Sequence, residues 1–217
     1  MRRNIIQNID RIININNAIR SCPNLKTKEP SCKRDVSACP LVMKPSPTQK
    51  VMLITRDPSN VANLKQTITG KENPFFGKKI LGIFFKDYTM DRFEHFATLF
   101  EKNVYWTHFA KCYPGKTSKG HKQPNEVCAV EYLNKEIEAV GPELLILVGG
   151  HAIEYVTGKK QLEAISRNDN EHKEVNGKPV RVISLTHPSG ANGSRYNPKY
   201  KFRETIGLIQ AEINKYC

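Results

Sequence analysis

The chain has 217 residues, with 34 Lys and Arg against 21 Asp and Glu, for a formal net charge of +13. At 39% hydrophobic and 25% charged, it has the make-up of a folded domain with a real core and not of a disordered tail. No apolar run approaches the ~20 residues of a membrane helix; the longest lies around Leu144–Val148. Met1-Arg2-Arg3-Asn4 leads into isoleucines interrupted by polar residues, unlike a signal peptide. The expectation is a cytoplasmic protein with no membrane partner.

In chain order, Ile5, Ile9, Ile12 and Ile19 recur at helical spacing and predict a helix over residues 4–20. A polar, proline-containing stretch from Pro23 to Lys50 comes next and carries Cys32 and Cys39, with Cys22 just before it. Four short apolar runs then read as strands: Val51–Ile54, Val104–Phe109, Leu144–Val148 and Val180–Leu185. Between them, Phe93, Phe96 and Phe100 mark one helix face. Val130, Leu133, Ile137 and Val140 mark another, which stops at Gly141-Pro142. Ile206, Ile209, Ile213 and Tyr216 predict a closing helix. Strands alternating with helices imply a three-layer α/β/α sandwich around a central four-stranded, mainly parallel sheet. The whole of 1–217 reads as a single domain, with an opening helix and cysteine-bearing segment over 1–50 and an α/β core over 51–217.

The charge is unevenly spread. Residues 1–50 hold ten basic side chains against three acidic, and Lys178–Arg203 holds six basic and none acidic. That balance favours a polyanionic partner, because neutralising phosphates releases condensed counterions. Solubility by charge is the plainer alternative.

In open parallel sheets, ligands bind beyond the carboxyl ends of the strands. The residues just past each predicted strand are therefore informative. After the first strand stand Arg56-Asp57-Pro58-Ser59, and after the second His108, then Lys111-Cys112-Tyr113-Pro114. Gly149-Gly150-His151 stand after the third and Thr186-His187-Pro188-Ser189-Gly190 after the fourth. Asp, His, Ser and Gly converging on one sheet edge is the distribution of an active site. Asp57 before Pro58 is also ordinary turn chemistry. Five cysteines, Cys22, Cys32, Cys39, Cys112 and Cys128, are candidate ligands for an iron–sulfur cluster or a structural zinc, with inert buried thiols as the alternative. Cys217 is incidental.

These strand ends resemble the uracil-DNA glycosylase superfamily, most closely its iron–sulfur family 4 branch. The resemblance runs from about Arg20 to Phe202. Val51–Ser59 resembles a strand ending in G-E-A-P-G, or G-Q-D-P-Y in the family 1 branch. Pro74-Phe75-Phe76-Gly77 is similar to P-F-V-G, Val104–Pro114 to a strand ending N-x-x-K-C-R-P, Pro142–Gly149 to P-x-x-I-x-x-L-G, and Thr186–Gly190 to the H-P-S motif. The 15 residues between Cys112 and Cys128 match the family's second ligand pair.

The resemblance implies a monofunctional glycosylase that extrudes a damaged base, uracil, from DNA and hydrolyses its N-glycosidic bond. It implies Asp57 as the group directing water, His187 as donor to the departing base, and Phe75 as the stacking face, with Phe76 or Phe75 alternatively in the core. His108 stands where the family reads uracil with Asn, and Arg56 where family 4 has Glu; both would line the base pocket. Ser59 stands in place of the Tyr with which family 1 excludes thymine's methyl. Ser189 and Gly190 would meet the DNA backbone, and Arg195 or Tyr196 would enter the vacated stack. A structural 4Fe–4S cluster would be held by Cys22, Cys39, Cys112 and Cys128, with Cys32 able to displace either of the first two and zinc as the second candidate occupant. The family default is a monomer. The changes at His108 and Arg56 leave open an alternative, a non-catalytic or altered-specificity DNA-binding relative.

Overall fold

A computed structural model describes residues 2–118, 120–188 and 196–217, with side chains from Asn8 onward. Ser189, Gly190 and Arg195, and the side chain of Ile5, lie outside the described residues. The chain opens with helix α1 (Arg2–Arg20), whose Ile12, Asn16 and Ile19 form the buried stripe. The amide of Asn16 is satisfied in that stripe, donating to the Met43 carbonyl at 3.0 Å.

Strands β1 (Val51–Thr55) and β2 (Val104–His108) are buried along their whole length. A parallel strand covered on both faces reads as continuous apolar sequence, which is why the four predicted runs were visible. Between these two strands come α2 (Asn60–Lys65), α3 (Leu81–Phe84) and α4 (Phe93–Asn103). A small hairpin, β3 (Lys116–Thr117) and β4 (Gly120–His121), comes after β2. Next are α5 (Asn134–Val140), β5 (Leu144–Val148), α6 (Gly150–Thr157) and α7 (Gln161–Ser166). The chain ends with β6 (His172–Val175), β7 (Lys178–Leu185) and α8 (Phe202–Ile213). Among the described residues, no helix is long and apolar enough to cross a membrane.

The main sheet has the order β2-β1-β5-β7-β6, parallel except at its last edge. It therefore has five strands, where the apolar runs predict four. The additional strand, His172-Lys173-Glu174-Val175, is polar because it lies at an edge. It is joined to β7 through Asn176-Gly177, both with positive φ (51° and 73°), the backbone that a two-residue hairpin turn requires.

The two faces of β2 show the layering. Tyr105 and Thr107 point to the α1 and α5 side, bonding to Asn16 and Glu136. Trp106 points the other way, into a cluster with Phe76 and with Phe100 of α4. Because β1, β2, β5 and β7 run parallel, the segments leaving all four emerge at one edge. Backbone pairing continues past the first two, with Phe109 N–H donating to Thr55 O at 2.7 Å and Ala110 N–H to Arg56 O at 2.8 Å.

Candidate active site at the strand ends

The β1 exit is built tightly. Ser59 caps α2, its hydroxyl accepting from the Ala62 N–H at 3.0 Å, which fixes the turn carrying Arg56 and Asp57. The Asp57 side chain is 2% exposed. One carboxylate oxygen accepts from Arg56 Nε and the other lies 2.6 Å from His121 Nδ1. Burial works against the charge, but the His121 hydrogen bond and the Arg56 guanidinium outweigh it and hold the carboxyl below its ordinary range. Asp57 is therefore an anion with prescribed partners.

His187 leaves β7 and stacks on Phe75, with ring centroids 5.3 Å apart and planes 12° from parallel. Burial, with the Arg56 cation nearby, depresses its pKa to about 4, so the ring is neutral near pH 7. Gly149, at φ +88°, lets the β5 exit turn beneath it. A Cβ there would lie 3.7 Å from His187 Cβ, and an L side chain rarely adopts that backbone. Phe75 is half-buried and also lies 6.3 Å from Trp106, whereas Phe76 is fully buried among Phe93, Phe100 and Trp106. The structure thus separates two neighbours that sequence pattern leaves equivalent.

His108, at the end of β2, is buried with its ring 5.4 Å from Trp106. Desolvation, aided by the Lys111 ammonium, lowers its pKa to about 3. Its Nδ1 has no hydrogen-bond partner among the described residues. A buried polar atom left in that state is a place for a ligand or a water. His151, after β5, faces Phe109 at 5.6 Å and lies within the electrostatic reach of Arg56 and Asp57. The strand ends therefore do bring together Arg56, Asp57, Phe75, His108 and His187. His121 carries no local sequence signal of this role: it is an isolated histidine on a two-residue strand, 64 positions from its carboxylate partner.

Behind this edge lies the cysteine region. Arg34 gathers it, its guanidinium donating to the carbonyls of Asn24, Leu25, Asp35, Val36 and Ala38. Backbone bonds from Asp35 N–H to Tyr113 O and from Leu41 N–H to Lys111 O fasten the segment to the β2 exit. Cys32, Cys112 and Cys128 are buried, Cys22 half-buried and Cys39 exposed. Cys32 and Cys128 lie close enough to shift each other's titration. Cys112, pushed up to about 12 chiefly by burial, also lies within electrostatic reach of Cys32, Cys22 and Cys39. Five thiols in this region have the donor chemistry of a thiolate-ligated group. Among the described residues, no three His, Cys, Asp or Glu side chains are close enough together to hold a metal ion.

The fold and these strand ends have a counterpart. The model of the uracil DNA glycosylase superfamily matches residues 43–206, which takes in Asp57, Phe75, His108, Cys112, Cys128 and His187. The chain belongs to that superfamily. It is similar to the type-4 uracil-DNA glycosylase of Archaeoglobus fulgidus, 32% identical over 120 residues that cover 54% of this chain and 57% of that protein. The chain thus spans little more than half the length of this curated relative.

Proposed function

We propose that the protein is a monofunctional DNA glycosylase that hydrolyses the N-glycosidic bond of uracil in DNA, acting on an extruded nucleotide and leaving an abasic site. The observation that carries this reading is the buried, ionised Asp57 at the same sheet edge as the neutral His187 stacked on Phe75.

Each side chain has a task its chemistry allows. Asp57 accepts the proton of the water that attacks the sugar carbon, or stabilises the positive charge that develops on the sugar. As the C–N bond breaks, its electrons pass into the base, and a neutral His187 N–H donates to the base oxygen where charge accumulates. Phe75 supplies a stacking face, worth roughly 1–3 kcal/mol per base. His108 meets the base edge with the Nδ1 that lacks a protein partner among the described residues. Arg56 holds Asp57 from one side. Ser189, Gly190 and Arg195 would contact the DNA backbone and stack, drawing on the basic stretch over 178–203.

In the same reading, Cys22, Cys39, Cys112 and Cys128 hold a 4Fe–4S cluster, Cys32 being able to replace either of the first two and zinc being the second candidate occupant. When bound, the group supplies a covalent tie between the N-terminal segment and the β2 exit. Residues 1–217 act as one such domain and as a monomer.

The test is incubation with single- and double-stranded oligonucleotides carrying one uracil, hypoxanthine or mismatched thymine, and then hot alkali. Strand breakage at uracil is expected. Intact DNA at every lesion, with salt-dependent binding retained, would replace the reading with a DNA-binding relative.

A further inference from the structure

We propose that His121 is the positioning residue for Asp57, an imidazole delivered by the β3–β4 hairpin that fixes the carboxylate's orientation and keeps it ionised. The proposal rests on the catalytic reading of Asp57 given above. An ionised carboxylate only accepts hydrogen bonds, so at 2.6 Å the His121 Nδ1 must carry the hydrogen. That contact fixes the imidazole's tautomer as well as the carboxylate's rotation.

The hairpin is arranged to make the delivery. His121 pairs with Lys116, and Gly120 with Thr117. Lys122 N–H closes back on Gly115 O at 3.0 Å. The imidazole sets its edge against Tyr113, with centroids 4.9 Å apart and planes at 85°. Asp57 is 2% exposed while His121 is 30% exposed, so the imidazole lies between the buried anion and solvent. Arg56 occupies the other carboxylate oxygen. His108, His151, His187 and Tyr113 also lie within electrostatic reach of Asp57. Near pH 7 His108 and His187 are neutral, and Arg56 and His121 hydrogen-bond the carboxylate directly.

Two variants separate positioning from mere packing. His121→Phe keeps a ring against Tyr113 but removes the donor, whereas His121→Asn keeps a donor near the Nδ1 position. Single-turnover excision from uracil-containing DNA is measured across pH, with DNA affinity measured alongside. For H121F the expected result is a loss of roughly tenfold or more in rate with DNA affinity unchanged. Its acid limb should shift to higher pH, because a carboxyl that loses a stabilising hydrogen bond is protonated more easily. H121N should recover most of the rate and restore the acid limb. An H121F rate and acid limb matching wild type would overturn the proposal, as would equal losses in both variants accompanied by weakened DNA binding. The ¹³C titration of the Asp57 carboxyl reads the pairing without turnover: it should move upward in H121F, and an unmoved titration also overturns the proposal. A wild-type protein inert on every lesion would instead remove the catalytic reading, and with it this role, even if the ¹³C shift is seen.

Discussion

The two faces of β2 end in opposite chemistry. On the face toward α1 and α5, every polar group has a partner. Lys111 Nζ donates to Thr107 Oγ1 and to the His108 carbonyl, both at 2.7 Å, and pairs with Glu136. Glu136 also accepts from Thr107 at 2.9 Å, and the Tyr105 hydroxyl, with a single hydrogen to donate, lies 3.1 Å from Asn16 Oδ1 and 3.3 Å from Glu136. On the other face, Trp106 is satisfied through Thr55, but His108 ends the strand neutral and with Nδ1 unmatched among the described residues. A saturated buried network specifies structure, while an unsaturated group beside it is available to something that arrives. The difference identifies which side of the strand the protein keeps for itself and which it presents to a ligand.

Breaking the saturated side should give the largest effect on stability. Lys111→Met leaves the fully buried Glu136 carboxylate without its cation, and loss of one partner of a buried pair costs about 3–5 kcal/mol. The double variant Lys111→Met/Glu136→Leu should recover much of that loss in denaturant unfolding. A single variant within about 1 kcal/mol of wild type would mean that the network does not carry the role assigned to it.

The unsaturated side should show itself in pH dependence. His108 and His187 titrate near 3 and 4 in the fold against 6.5 ordinarily. Between those values the unfolded chain binds protons that the folded chain refuses. Their stabilising contribution is therefore complete above about pH 6.5 and falls as pH drops toward the folded values, by at most about 1.4 kcal/mol per pH unit for each histidine. His108→Asn should make the slope between pH 6 and 4 shallower by up to that amount. An unchanged slope would show that the His108 ring is not held neutral by the fold.

Much of this was legible in the sequence because buried parallel strands are mainly apolar. Once Val51–Ile54, Val104–Phe109, Leu144–Val148 and Val180–Leu185 are aligned in one direction, Asp57, His108 and His187 must share an edge. The features that escaped the sequence lack an apolar signature. The edge strand His172–Val175 is polar, and its one local sequence signal is the Asn176-Gly177 turn. His121 reaches Asp57 across 64 positions from a two-residue strand, a contact that no local periodicity encodes. Phe75 and Phe76 differ only in which way a wide helical turn rotates them. Nor did spacing indicate the present burial of the cysteines, with Cys32 inside beside Cys128 and Cys39 outside.

The proposed function stands or falls on the Asp57 carboxylate doing chemistry at this edge. Single-turnover excision of uracil from single-stranded DNA near neutral pH, wild type against Asp57→Asn, tests it most directly. The expected result is a rate loss on the order of 10²–10⁴-fold with DNA affinity unchanged. An Asp57→Asn variant that excises uracil as fast as wild type would contradict it.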